Sequence, residues 1–132
     1  ITINFHSSNT IEYRWNGKGW QRWEGGVPFD SASGGQITTP NVLIQEVEVN
    51  NSKSITDVVG NPSPEIELGG SGRAVLFRDG RAITGKWTTP QPGEAPTFKT
   101  KGGEDFAFAR GQIWWELVPS GKGDVKGSFS FK

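Results

Sequence analysis

The stretch that decides the fold is Gly69-Gly70-Ser71-Gly72-Arg73-Ala74-Val75-Leu76-Phe77-Arg78-Asp79-Gly80-Arg81-Ala82-Ile83-Thr84-Gly85-Lys86-Trp87. It reads as two strands joined at Asp79-Gly80, a dipeptide that tolerates positive φ at both positions and so suits a two-residue type I′ turn. With that turn as the loop, Arg78 faces Arg81, Phe77 faces Ala82, Leu76 faces Ile83 and Val75 faces Thr84. One face of the hairpin carries Ala74, Leu76, Ile83 and Trp87, with Gly72 and Gly85 leaving room for the indole. This face reads as core. The other carries Val75, Phe77 and Thr84 and ends in a like-charged pair, Arg73 and Lys86, a basic spot suited to an acidic ligand or another domain.

Upstream, residues 1–6 alternate Ile1, Ile3 and Phe5 against Thr2, Asn4 and His6, and residues 11–15 resume the pattern with Ile11, Tyr13 and Trp15. A turn at Asn16-Gly17-Lys18-Gly19 returns the chain through Trp20, Gln21, Arg22 and Trp23. That pairs Trp15 with Trp20 and Tyr13 with Arg22, an aromatic pair beside a cation–π opportunity. Residues 25–40 form a loop longer than ordinary connections, of the kind that is functional or mobile. Residues 41–49 are a strong strand whose Val42, Leu43 and Ile44 are apolar on both faces, which places its start centrally. Residues 50–64, polar and broken by Asn-Pro and Ser-Pro, read as a mobile loop, and residues 65–68 as a short strand entering the hairpin.

After Trp87, the prolines at 90, 92 and 96 keep that segment out of a sheet interior. Residues 97–108 are another hairpin, around Lys101-Gly102-Gly103. A three-residue loop with a left-handed glycine puts Phe98, Phe106 and Phe108 on one face, whereas a two-residue loop would separate them. Burial of three rings at roughly 25 cal/mol per Å² outweighs the difference between turn types, so the three-residue loop is expected. Residues 112–118 carry Ile113, Trp114, Trp115 and Leu117 on both faces, and residues 125–131 alternate like an edge strand. No helical period longer than a turn occurs. The fold class expected is all-β: one domain, residues 1–132, of about ten short, mostly antiparallel strands in a sandwich or partly open barrel.

A chain of 132 residues can bury a real core. Nineteen glycines, six tryptophans and 33% hydrophobic residues suit short strands whose core is supplied largely by aromatic rings. Fourteen basic residues balance 14 acidic ones, which argues against a nucleic-acid partner. The absence of cysteine excludes disulfides, thiolate zinc sites and a cysteine nucleophile. Methionine is absent even at position 1, so the chain reads as an excised or processed piece.

Motifs for chemistry are sparse. His6 lies alone on a polar strand face, Asp30 lacks the companions of a calcium loop, and Gly69-Gly70-Ser71-Gly72 leads into a strand instead of a helix N-terminus. No catalytic residue, metal or cofactor is expected. Glu24 and Asp30 are the carboxylates that an acid–base mechanism would use. The tryptophans say more: Trp114 and Trp115, adjacent on a strand, point to opposite faces unless a bulge intervenes, so one or two rings are expected either at a ligand or partner surface or in a second core layer covering the other sheet face. Tyr13, Trp15, Trp20, Arg22 and Asp30, aromatics and an arginine beside the long loop, are the candidate ligand-binding face.

Three ordered segments carry a resemblance. The first is Arg22, Gly26-Val27-Pro28-Phe29-Asp30, Gln36-Ile37 and Asn41-Val42-Leu43-Ile44. The second is Gly70-Ser71-Gly72, Phe77-Arg78-Asp79-Gly80 and Gly85-Lys86-Trp87. The third is Thr97-Phe98, Gly102-Gly103-Glu104, Gly111-Gln112-Ile113-Trp114 and Val118-Pro119. In order and spacing they resemble the carboxy-terminal domain of the YerB-like bacterial lipoproteins, a family of uncharacterised function, over residues 1–119. Ile113 departs from the Gly-Gln-Thr-Trp form of the third motif, and residues 121–132 add a strand outside the pattern. The resemblance implies an exported protein, lipid-anchored at the outer face of the cytoplasmic membrane, with an upstream domain as partner. Contact with the membrane would then be only through an anchor outside this chain. The expected function is a non-enzymatic envelope module that binds a cell-wall glycan or peptide. The alternatives are an enzyme on envelope polymers using Glu24 or Asp30, and a structural domain packed on its upstream neighbour.

Overall fold

The computed structural model describes residues 1–6 and 8–132. Among them are twelve strands and no helix. The chain begins with β1 (Thr2–His6), β2 (Asn9–Trp15), β3 (Trp20–Glu24), β4 (Val27–Pro28) and β5 (Thr38–Thr39). It continues through β6 (Asn41–Thr56), β7 (Pro62–Glu67), β8 (Gly70–Arg78), β9 (Arg81–Thr89), β10 (Thr97–Thr100) and β11 (Ile113–Pro119), and closes with β12 (Ser128–Ser130). Two sheets result. One runs β12-β1-β2-β3-β4 with β5 also on β3; the other runs β10-β9-β8-β6-β11 with β7 also on β6. They pack face to face as a sandwich, not closed into a barrel, and every pairing is antiparallel except β6 with β11.

The central hairpin has the register its turn dictates, from Arg78 opposite Arg81 to Val75 opposite Thr84. Asp79 and Gly80 take φ of 51° and 70°, the two positive values a type I′ turn requires. Over residues 74–77 of β8 both faces are buried. Val75 and Phe77 meet Val42, Ile44 and Val118 of their own sheet and Ile3, Ile11, Tyr13 and Trp20 of the other, forming the core between the sheets. On the opposite side, Ala74, Leu76 and Trp87 join Leu43, Val47 and Phe106 in a second core, covered by Phe98, Phe108, Leu117 and Val125. The Phe98 cover depends on the three-residue loop: Thr100 and Glu104 close it, Gly103 adopts φ 87°, and Phe98 stacks on Phe106 at 6.0 Å.

Four expectations are corrected. Residues 50–64 are no loop: β6 runs on to Thr56 and folds back into β7, making an arm whose prolines are tolerated because β7 is an edge strand. The arm ends in a turn organised by Asp57, whose carboxylate accepts the amides of Val59 and Asn61, and it presents Val58 and Val59 to solvent. Gly85 makes room for the next strand, since a β-carbon there would overlap the Lys99 carbonyl oxygen and press on Phe106; only Gly72 lies under the Trp87 indole. The last strand is shorter than its alternation suggests, because Val125 belongs to the second core while Phe129 packs on the first. Arg22 does lie opposite Tyr13, but its cation–π partners are Phe29 and Trp114.

A side chain at position 85 must push β9 from β10, and backbone cannot yield as a flexible side chain can. Gly85→Ala is therefore expected to cost about 3 kcal/mol or more, read as a lower urea midpoint at unchanged m-value.

Candidate functional site

The five residues singled out from sequence fall into three settings. Tyr13 on β2 is 1% exposed and donates its hydroxyl to the Glu116 carboxylate of β11, tying the two sheets together. Burial, and after it the adjacent Glu116 charge, hold the Tyr13 phenol far above its ordinary range, so it stays a donor. Arg22 on β3 lies nearby with a side chain 11% exposed. Its guanidinium is 4.4 Å from the Phe29 ring and 4.8 Å from Trp114, and it donates to Glu24 at 2.9 Å. The short β3–β4 pairing and the Phe29 amide on the Arg22 carbonyl bring Phe29 over this arginine.

Trp15 and Trp20 pair across β2 and β3 with rings 5.3 Å apart. Trp20 is buried against Phe77, and Trp15 covers the Asp79-Gly80 turn, where a β-carbon on Gly80 would come within 2.9 Å of the indole nitrogen. Asp30 is exposed and pairs through its backbone with Gln36. The structure thus brings Tyr13 and Arg22 into one polar cluster with Trp114 and Glu116, and puts Trp15 and Trp20 in a second, aromatic one. Glu24 is engaged with Arg22, and His6 bonds Ser8 at 3.1 Å.

The exposed aromatic surface lies elsewhere. Of the six tryptophans only Trp115 is exposed, at 46%. It sits on β11, an edge strand, and looks away from the sandwich because its neighbour Trp114 takes the inward face. Two contacts fix the ring. Its indole N–H donates to Gln45 Oε1 at 3.1 Å, and Phe98 meets it edge-on at 5.6 Å. Beside the ring is a groove of about 460 Å³ lined by Leu68, Pro96, Leu117, Gln45, Thr89 and Glu94. The walls are apolar, yet Gln45 and Thr89 are each 2% exposed. The Thr89 hydroxyl is buried and has no hydrogen-bond partner among the described residues. A mostly apolar groove with a few converging polar groups is the ordinary form of a small-ligand site. Sequence reasoning reached the Trp114-Trp115 alternation but not Gln45, Thr89 or Glu94, which converge only through the pairing of β6 with β11 and the turn after β9.

Residues 1–115 match the family described as protein of unknown function (DUF3048), C-terminal domain. No curated protein matches the chain. Among solved structures, the crystal structure of YerB protein from Bacillus subtilis is similar at a TM-score of 0.69 and 24% identity, over 90% of this chain and 41% of that one. That likeness is one of fold.

Tyr13 is the only tyrosine, which makes its environment directly readable. The folded state holds the phenolic proton more tightly than the unfolded chain, where the group titrates near 10.0. Its stabilising contribution is therefore complete below pH 10 and falls above it by up to about 1.4 kcal/mol per pH unit. Native protein should show no tyrosinate absorbance as pH passes 10, the signal appearing only on unfolding. Tyr13→Phe, which strips Glu116 of its donor, should cost about 1–3 kcal/mol at neutral pH, a difference that shrinks in alkaline solution.

Proposed function

The chain belongs to the DUF3048 C-terminal domain family, the YerB-like family, and from that premise we propose that it is a non-enzymatic binding module of the bacterial cell envelope that takes a glycan on the Trp115 groove. The observation that carries this reading is the pairing of a fixed, half-exposed indole with a buried threonine hydroxyl that has no partner among the described residues. A pyranose ring has one face of C–H groups and a rim of hydroxyls. The indole plane and the Leu68 and Leu117 walls suit the first. Thr89, Gln45 and Glu94 suit the second. Holding the ring in place before binding lowers the entropic cost of the contact, because the indole does not have to be ordered by the ligand.

In this reading the module sits at the outer face of the cytoplasmic membrane as part of a lipid-anchored protein, next to an upstream domain. The family's description as a C-terminal domain supports the neighbour. Glu24 and Asp30 are given no chemical role, since Glu24 already serves Arg22 and Asp30 lies apart from the groove lining.

Soluble N-acetylglucosamine oligomers and muropeptides are the probes. Tryptophan fluorescence should change with a dissociation constant on the order of 1 mM or tighter, and Trp115→Ala should weaken binding about tenfold, roughly 1.4 kcal/mol. No response at millimolar sugar, or equal binding by the variant, removes the glycan assignment.

A further inference from the structure

The face of β8, β9 and β10 that continues from Val75 and Phe77 carries three cations in one line. Arg73 lies directly opposite Lys86, and Lys86 directly opposite Lys99. Neighbouring strands are about 4.8 Å apart, so three positive side chains stand on a span of about 10 Å. Like charges placed opposite one another across a sheet destabilise it. Beside this row runs a second of hydroxyls, Ser71 opposite Thr88 and Thr88 opposite Thr97. Lys101, in the loop after β10, extends the charge. All of these except Ser71 line an open groove of about 730 Å³, whose lining among the described residues holds four cations and no carboxylate. In a chain of zero formal net charge this is a concentrated patch.

The groove exists because the first sheet stops short of it. β12 is the edge of that sheet, and its Phe129 stacks under the Arg73 guanidinium at 4.6 Å. Beyond Phe129 the second sheet is open to solvent. The neighbouring acids only partly answer the charge. Asp105 meets Lys99 at 2.9 Å with both side chains well exposed, at 82% and 53%, and the partly buried Glu46 only approaches the half-exposed Arg73, at 4.0 Å. Exposed pairs of this kind contribute little and exchange readily for another anion.

We propose that this groove binds the phosphate groups of a polyanion that carries no bases. Lysine and arginine supply charge, and the hydroxyls of Thr84, Thr88 and Thr100 supply O–H donors to phosphate oxygens, that of Thr97 already donating to the Thr88 carbonyl at 3.3 Å; the combination suits an oxyanion chain. Among the described residues no aromatic ring lines the groove, so they offer no platform on which nucleic-acid bases would stack. The site is separate from the Trp115 groove: the row Arg73–Lys86–Lys99 lies on one face of the second sheet, and Trp115 lies on the other with Leu43 and Gln45.

The test uses inorganic polyphosphate as probe, followed by calorimetry and by amide shifts of β8 to β10. Three to four phosphate contacts on a flexible polyanion predict that raising salt from 50 to 200 mM weakens binding about 20- to 50-fold. Lys86→Glu with Lys99→Glu should weaken it at least tenfold. The milder pair Lys86→Gln with Lys99→Gln, which adds no new charge, should lower both the affinity and the salt slope if the reversed variant fails to fold. Absence of binding, a salt slope below that of one contact, or full affinity in the glutamine pair overturns the site. Equal affinity for polyaspartate overturns the assignment to phosphate.

Discussion

Val42, Leu43 and Ile44 are buried on both sides of one strand, and the rest of the molecule is arranged to keep water from them. A strand apolar on both faces needs two coverings. The first sheet provides one, through Ile3, Ile11, Tyr13 and Trp20. The Phe98 hairpin and the segment reaching Val125 provide the other. The parallel pairing of β11 with β6 is what lets a chain that has already built β8 to β10 return to the far edge of the same strand.

This two-sided covering is incomplete at opposite ends of the second sheet, and both candidate ligand surfaces occupy the gaps. On the inner face, cover ends at Phe129, and the sheet beyond it carries cations and hydroxyls in place of apolar side chains. On the outer face, cover thins towards β11, where Trp115 stands between the Phe98 edge and the groove walls. The arm of β6 and β7, by contrast, protrudes and carries Val58 and Val59 clear of the body. The inner contacts have a different task. Tyr13 with Glu116, and Arg22 between Phe29 and Trp114, fasten the two sheets at the β3–β11 end, using polar and cation–π contacts where the aliphatic core gives out.

Local hairpins were legible in the sequence because turn chemistry sets their register. Asp79-Gly80 admits one close pairing, and the phenylalanine face around Gly102-Gly103 selects one loop length. The arm of β6 and β7 was not legible. Its prolines and polar residues resemble a loop, and they form strands only because β7 is an edge with one partner. The candidate face around Tyr13, Trp15, Trp20, Arg22 and Asp30 rests on aromatics and an arginine near a long loop in the sequence. The structure buries Tyr13 and Trp20 because the inner face of β2 and β3 is opposed by Phe77 and Trp114, partners 57 and 101 residues further along from Trp20 and Tyr13. Composition close in sequence carries no sign of which face a distant sheet will cover.

By itself the sequence determined the all-β class, the central hairpin with its register, the like charges at Arg73 and Lys86, and the opposite facing of Trp114 and Trp115. Each follows from a two-residue period or a tight turn, which act over a few bonds. Tertiary structure alone decided that Lys99 completes the cation row, that Gln45 and Thr89 lie beside Trp115, and that β11 runs parallel to β6. These depend on pairings between segments far apart in the chain. Several such pairings satisfy the same hydrogen-bonding groups, and only the joint burial of both faces of β6 selects among them.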